Sequence, residues 1–529
     1  MPDEETAEAV VQLFGEPFDT GLATAERSLR TADFAAAQTC YEQLLAAAED
    51  FEDSPDVRFL RAHLLADIGM VQLAATDLAG AATAIERALG LLRDIESTPM
   101  GPLGRQLFLD DLLKVLIGKA DLSRRTGNLD RAQACLDEAT ARLSEFEGGD
   151  GTRAAELGNN RVQLLMSRSE WGAAEELASA LLSTTPPTVP TVPHLLTDLA
   201  LVCASTGRFD LAEDYLVRAE EGFRALGETG EQPQLIAHRA YVAMRRGDLD
   251  RAELLYAEAS SVFERRRQFG DLAICEQARG FLAAGRGDTT GADDLMAAGL
   301  ARFEQAGASI AAADTMLLAA QQAYGRGDIA EMQRLTEGAR EVYEAQGVYE
   351  RCAQADFMVA SSIEDRLNRS DHGAHEQAAV DAALTLALPA ALALEAARYD
   401  FATGHARSQW LRLAQEAMRL AFRLAVRRQD QGLLFELVEF RCAGAPLALD
   451  HRTPPPESAA GAAVFPDGAM KTYGHTSGDI GTWGGLRIGP PPQVLMSPDH
   501  DRTALREYVE AAESRYHRKV VSEETVQSW

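Results

Sequence analysis

The sequence predicts an all-α chain: a right-handed superhelical solenoid of helix pairs repeating about every 40 residues, then a helical C-terminal cap, a Pro/Gly-rich linker and a terminal helix. Three observations predict it. A turn phrase recurs as RTGNLDRAQACLDEA (Arg125–Ala139), STGRFDLAEDYLVRAE (Ser205–Glu220) and RRGDLDRAELLYAEA (Arg245–Ala259). Its glycines fall at Gly127, Gly207, Gly247, Gly287 and Gly327, with Ser169 in the glycine place of SRSEWGAAEELA. Small residues hold matched columns around those turns: Ala120, Val162, Ala200, Ala240, Gly280 and Ala320 before them, and Ala132, Ala174, Ala212, Ala252, Ala292 and Met332 after them. A third column, Ala139, Leu181, Ala219, Ala259, Gly299 and Ala339, lies further along the second helix, and apolar pairs such as Leu129/Leu136, Phe209/Leu216 and Leu249/Tyr256 between the columns follow helical spacing.

Each part of the turn phrase has a mechanical reason. The glycine takes the left-handed conformation that closes one helix, and the following Asp, such as Asp248, caps the next. Small residues at matched places let two helix backbones approach closely. The phrase is therefore a structural corner and not a catalytic motif.

Along the chain the elements fall in order. Residues 1–104 hold degenerate helix pairs, with TADFAAAQTCYEQLLAAAE from Thr31 and AATDLAGAATAIERALGLL from Ala74 as weaker copies of the repeat. Residues 105–347 form an array of six repeats. Residues 348–442 form a helical cap, which begins with YERCAQADFMVASSIEDRL. Residues 443–498 are a Pro/Gly-rich linker that cannot hold a packed core by itself. Residues 499–529 contain an amphipathic helix, whose stripe of Leu505, Tyr508, Val509, Ala512 and Tyr516 must dock on this chain or on a partner.

The turn G-[DN]-x-x-x-A, the small residues on either side and the second alanine resemble the tetratricopeptide repeat. These units run near 40 residues where the usual repeat has about 34. The resemblance implies a scaffold of antiparallel helix pairs. A second resemblance lies further on, in ALEAARYDFATGHARSQWLRLAQEAMRLAFRLAVRRQDQGLLFELVEFRCAGAP and in LRIGPPPQVLMSPDHDRTALREYVEAAESRYHRKVVSEETVQSW. These segments are similar to the non-catalytic region of actinobacterial proteins that join tetratricopeptide repeats to a caspase-like CHAT protease in bacterial conflict systems. Such a protease needs a histidine and a cysteine on an α/β sheet. Here the nearest candidates, His405 and Cys442, stand in helical context with no alternating strand–helix region to carry them. The resemblance thus implies a companion or sensor subunit acting through another chain.

Composition narrows the function. Lys plus Arg number 51 against 81 Asp plus Glu, a net charge of −30, which repels phosphate backbones and argues against a nucleic-acid partner. The basic runs FERRRQF and FRLAVRRQD alternate with apolar residues as solvated helix faces do. No run of about eighteen apolar residues marks a membrane span, and the acidic start MPDEETAEAVVQLFGEPFD lacks the form of a secretory signal, so a cytoplasmic protein is expected. The six cysteines are scattered singly and read as small buried apolar residues. SDHGAHEQ, with Asp371, His372, His375 and Glu376, reads as a polar connector, and GTWGGLRIG lacks the Gly-Lys-Ser/Thr of a phosphate loop. Neither a cofactor nor an enzyme motif is expected.

The usable surface is the concave face of the array, made by the first helix of each pair. Positions ten, six and three before each turn give Asn159, Gln163 and Met166; Thr197, Leu201 and Ala204; Ala237, Tyr241 and Met244; Gln277, Phe281 and Ala284; Leu317, Gln321 and Tyr324. Amides there can bond a peptide backbone while aromatic rings take its side chains, unless the chain's own helices cover the face. Trp483 in the linker, with Leu505, Tyr508, Val509 and Tyr516, forms a candidate tail-docking set. It is either a coupling element handed to a partner or a permanently packed terminal helix. The expected function is a protein-binding adaptor or sensor, with a caspase-like protease subunit as candidate partner. The rival is a ligand- or peptide-sensing helical regulator of the large bacterial transcription-activator type.

Overall fold

The computed structural model describes residues 15, 17–146, 151–168, 170–369, 376–397, 404–443, 490–496 and 502–528. It divides into two compact units, Met1–Val348 and Tyr349–Trp529.

The first unit is built from consecutive helix hairpins: α1 (Phe18–Arg30) with α2 (Phe34–Glu49), α3 (Pro55–Ala74) with α4 (Leu78–Ile95), α5 (Pro102–Arg125) with α6 (Leu129–Leu143), and α7 (Thr152–Ser167) with α8 (Trp171–Thr184). The series continues with α9 (Thr191–Ser205) and α10 (Phe209–Leu226), α11 (Gln232–Arg246) and α12 (Leu249–Arg266), α13 (Phe269–Gly285) and α14 (Thr289–Ala306), and α15 (Ser309–Gly325) and α16 (Ile329–Ala345). The corners work as the turn phrase requires. Gly127, Gly207, Gly247, Gly287 and Gly327 all have positive φ, between 80° and 92°. The carboxylates of Asp248, Asp288 and Asp328 accept the backbone N–H of Arg251, Gly291 and Glu331, and the Asn128 side chain accepts that of Arg131. The alanine columns are fully enclosed between helices, with Ala174, Ala212, Ala252, Ala292, Ala139, Ala219 and Ala259 all at 0% exposure.

The first two hairpins turn the same corner without glycine. Ala32 and Thr76 occupy the left-handed place there, with φ of 56° and 62°, each followed by a capping Asp (Asp33, Asp77). These corners meet connections much later in the chain. Ala32 packs on Gly230, between α10 and α11, and Thr76 packs on Gly270, at the start of α13. At the third corner the roles reverse: Gly127 receives the Ile310 side chain from the start of α15. The array therefore coils far enough for its early corners to mesh with its later connections, a side chain against a glycine each time. The core reflects this closure, because Ala273, Phe303, Ala308 and Ala312 share one buried cluster with residues of α3 to α7.

The second unit centres on α18 (Glu376–Ala397), packed between α17 (Tyr349–Arg369) and α19 (Gly404–Arg428), and followed by α20 (Gln431–Ala443). α18 is long and apolar enough to cross a membrane, yet Val380, Leu384, Leu388 and Leu392 are all buried in this unit, as a core helix requires. The C-terminal segment is packed here too. α21 (Arg506–Tyr516) starts after Leu505, which has φ of 57° and is buried. Arg515 holds Asp356 through two bonds of 2.7 and 2.9 Å, and Tyr516 Oη donates to the same carboxylate at 2.7 Å. Val509 is buried, and Tyr508 Oη accepts from Arg428 at 3.3 Å. Unlike the uniformly helical reading, β1 (Gln493–Leu495) and β2 (Thr525–Gln527) pair as a two-stranded parallel ladder, so residues 490–496 of the expected linker take part in folded structure. Trp483, Asp371, His372 and His375 lie outside the described residues, and Glu376 pairs with Arg427 at 2.7 Å.

Candidate binding groove

The first helices of the middle hairpins, α7, α9, α11 and α13, present the face on which a binding site was expected. A cavity of about 290 Å³ opens there, lined by Met166, Trp171, Leu201, Ser205, Gln234, Ala237, His238, Tyr241, Tyr256, Phe263, Asp271, Ile274 and Cys275. Four of the expected inward positions, Met166, Leu201, Ala237 and Tyr241, line it. The Tyr241 hydroxyl lies 3.3 Å from Ser205 Oγ and accepts from Arg245 at 3.3 Å.

Other candidates are placed elsewhere on these helices and on α15. Asn159 is buried with its Oδ1 unpartnered. Gln163 accepts from Arg124 at 3.1 Å, and buried Thr197 donates to the Pro193 carbonyl at 3.0 Å. Met244 packs against the core between α11 and α13. Gln277 donates to Thr315 at 2.8 Å, Phe281 is exposed, Gln321 is exposed, and Tyr324 is half-buried. These do not converge with the cavity. Gln234, His238, Asp271 and Ile274 were missed, although two of them were visible in the sequence: Gln234 and Ile274 extend the inward stripe one turn earlier, thirteen residues before Gly247 and Gly287.

The polar groups here are unusual in lacking partners. Among the described residues Gln234 Oε1, His238 Nδ1 and Trp171 Nε1 of the lining are enclosed without a hydrogen bond, as are, outside the lining, Asp198 Oδ2 and both amide atoms of Gln268, the residue that precedes α13. Buried polar atoms are normally paired, and each exception asks for an explanation. Burial pushes the Asp271 carboxyl up to about 6, against a downward pull from Arg125 and with a smaller push from Glu231. Burial lowers His238 to about 4, with His194 adding to the effect, so its ring is neutral. Burial raises Asp198 to about 7, partly offset by its hydrogen bond with Gln163 and by Arg124. Such displaced values gather where groups are held ready for something else.

Asp198 gives a direct test. Its folded pKa stands above that of the unfolded chain, so its ionisation opposes folding as pH rises from about 4 through 7. Asp198→Asn is expected to stabilise the protein at pH 8, on the order of 2 kcal/mol, and to leave it nearly unchanged at pH 4, as read by urea unfolding at both values.

A second group of charges is enclosed in α3, α5 and α7. His63 Nδ1 lies 2.9 and 3.0 Å from the two Asp111 oxygens, and Lys114 bonds Asp67 at 2.7 Å and reaches Asp111 at 3.3 Å. Beside it Arg153 grips Asp110 at 2.6 and 2.8 Å and Glu156 at 2.7 Å. Positive and negative groups alternate, so the cluster holds helices together. Cys442 of α20 is exposed and free. Among the described residues no group of three or more His, Cys, Asp or Glu side chains could hold a metal ion.

No protein-family model matches the sequence, and comparison with curated proteins finds no match. Solved structures do resemble it. A Rap protein in complex with Competence and Sporulation Factor has a TM-score of 0.47 at 14% identity, covering 68% of this chain and 93% of that one. NprR in complex with its cognate peptide NprX has 0.42 at 15%, covering 67% and 97%. A signal-transduction ATPase from Pyrococcus horikoshii with a tetratricopeptide-repeat sensor has 0.36 at 14%, covering 65% and 53%. The array's own glycine corners, capping Asp residues and enclosed alanine columns follow the tetratricopeptide pattern. Similarity this distant says nothing of a ligand for this chain, whose own residues must supply that argument.

Proposed function

We propose that the chain is a non-enzymatic regulatory scaffold that binds a peptide, or an extended segment of a protein, in the groove of its helix-pair array. One observation carries the reading: an aromatic-walled cavity on the inward face, where Gln234 Oε1 and His238 Nδ1 are enclosed without partners. A peptide supplies what these atoms lack, because its backbone N–H groups bond free amide oxygens and its side chains displace water from rings. The net charge of −30 supports a role without nucleic acid. We place the protein in the cytoplasm, with no membrane partner.

The test is affinity selection of a random hexapeptide library on the full chain, read by mass spectrometry. Retained peptides are expected to bind at least tenfold more weakly to Tyr241→Ala, which removes a wall of the cavity. Retention of no peptide, or binding indifferent to Tyr241→Ala and to Gln234→Leu, overturns the reading. The finer proposal, that a caspase-like protease subunit reads the bound state, rests on the resemblance of the C-terminal segments. A pull-down from the native host that recovers no such protease overturns it.

A further inference from the structure

The chemistry of the cavity narrows the ligand further. Among the described residues its lining contains one carboxylate, Asp271, and no lysine or arginine, and the guanidinium at its edge, Arg245, is already held over the Tyr241 ring and by the Ser205 carbonyl. Asp271 sits half-buried in the first turn of α13, where Arg125 draws on its charge without outweighing burial. Around it the lining supplies enclosed acceptors and π faces. Gln234 Oε1 is an acceptor without a donor, and the neutral His238 ring has Nδ1 unpartnered. Trp171, Tyr241, Tyr256 and Phe263 contribute four aromatic rings.

Three classes of side chain can be compared in such a place. An acidic group would meet Asp271 with like charge in a water-poor pocket. An apolar group would fill the volume but leave Asp271 and Gln234 desolvated and unpaired, which costs more than the contact gains. A cation pairs with the carboxylate, donates to the free amide oxygen and lies against ring faces, where attraction grows as water is excluded. A guanidinium does all three at once, because its five N–H donors lie in one plane that both stacks and forks, whereas an ammonium is a compact, strongly hydrated charge.

Resting on the peptide-groove reading above, we infer that this cavity takes a basic side chain of the bound peptide, a guanidinium in preference to an ammonium, with Asp271 as counter-ion, Gln234 as acceptor and Trp171, Tyr241 and Tyr256 as aromatic walls. The groove thereby discriminates among peptides at one position.

The test uses the full chain and an N-acetylated hexapeptide library in which every position samples arginine, citrulline, lysine and norleucine among the other residues. Citrulline keeps the shape of arginine without its charge, and acetylation removes the terminal amine as a rival cation. Retained peptides are expected to share an arginine at one position, and citrulline there is expected to weaken binding at least tenfold. Asp271→Asn should bind the arginine peptide at least tenfold more weakly than the native protein does, and should no longer prefer arginine to citrulline. Its melting temperature should be no lower than that of the native protein, since the variant removes a charge that burial disfavours. Equal binding of arginine and citrulline peptides by the native protein overturns the basic anchor and leaves the peptide groove standing. So does an arginine preference that survives Asp271→Asn, or a library in which only non-acetylated peptides are retained. Retention of no peptide in either form overturns both.

Discussion

Asp111→Ala is expected to cost the protein about 3–5 kcal/mol of stability, because breaking a buried ion pair leaves its partner charged and unpaired. Asp111 is fully enclosed, and its carboxylate faces both the His63 ring and the Lys114 ammonium. Burial works against the charge of Asp111, but His63 and Lys114 outweigh it and hold the carboxyl well below its ordinary value. Burial also works against a charged His63, and Asp111 and Asp67 outweigh it in turn, so its pKa is raised. The two shifts fix the pH dependence. The stability from Asp111 is present above about 4 and is lost as pH falls through its lowered pKa. The stability from His63 is fully present below about 6.5 and is lost as pH rises through its raised pKa. The difference between native protein and variant should therefore be larger at pH 5.5 than at pH 9, as measured by urea unfolding. A companion variant separates the network from mere volume. Replacing His63, Asp67, Asp111 and Lys114 together by leucine, leucine, leucine and methionine, so that Asp67 is not left buried without its lysine, should recover much of the loss, as apolar replacement of buried charges often does. A loss under 1 kcal/mol for Asp111→Ala would show that the cluster does not hold α3 to α5.

Much of the array was legible because a short local phrase dictates each corner. Gly247 needs only its own backbone to take the left-handed turn, and Asp248 only its neighbours to cap α12, so both are written in the sequence beside the structure they make. The groove was half legible for a related reason. Inward positions recur with helical spacing, which found Met166, Leu201, Ala237 and Tyr241, but the stripe stopped one turn short of Gln234 and Ile274. Asp271 escaped because it is only one acid in an acidic chain, and what distinguishes it is its place, half-buried on the cavity wall, a property of the packed fold. The enclosed charge network escaped likewise: Lys114 and Asp67 lie on different hairpins, and nothing in either local sequence announces the pairing. The β1–β2 ladder was out of reach because each strand spans three residues, too few to show alternation, and their partners lie some thirty positions apart along the chain. Helix pairs are a local property; the meshing of distant corners is not.

That meshing carries the last expectation. Thr76 is a β-branched residue at φ of 62°, a conformation that glycine takes freely and that threonine adopts only at a cost of about 1 kcal/mol or more. The fold keeps it, and the reason lies across the contact. A Cβ built on Gly270 would overlap the Cβ, Cγ2 and Oγ1 of Thr76, so the threonine fills the space that the glycine leaves. The Thr76 hydroxyl also accepts from Arg125 at 3.3 Å, and Arg125 bonds the Leu73 carbonyl at 2.5 Å, which fixes the corner in place. Gly270→Val is therefore expected to destabilise the first unit by about 3 kcal/mol, since neither the Thr76 Cβ nor the α13 backbone can rotate away. Thr76→Gly alone should change little, because the relief of backbone strain offsets the lost packing. Combined with Gly270→Val, it should restore most of the stability, because the valine then occupies the volume the threonine gave up. The coupling is the decisive quantity: a double-mutant cycle on urea midpoints should give at least 1 kcal/mol of rescue, well above the few tenths expected of independent sites. If the two substitutions simply add, the early corners and the late connections do not press on one another, and the array would be an open coil with its groove unsupported from α3 and α4. If they couple, the groove between α9 and α13 is braced by a chain segment nearly two hundred residues earlier, and its Asp271, one residue past the meshed glycine, is held in position by that brace.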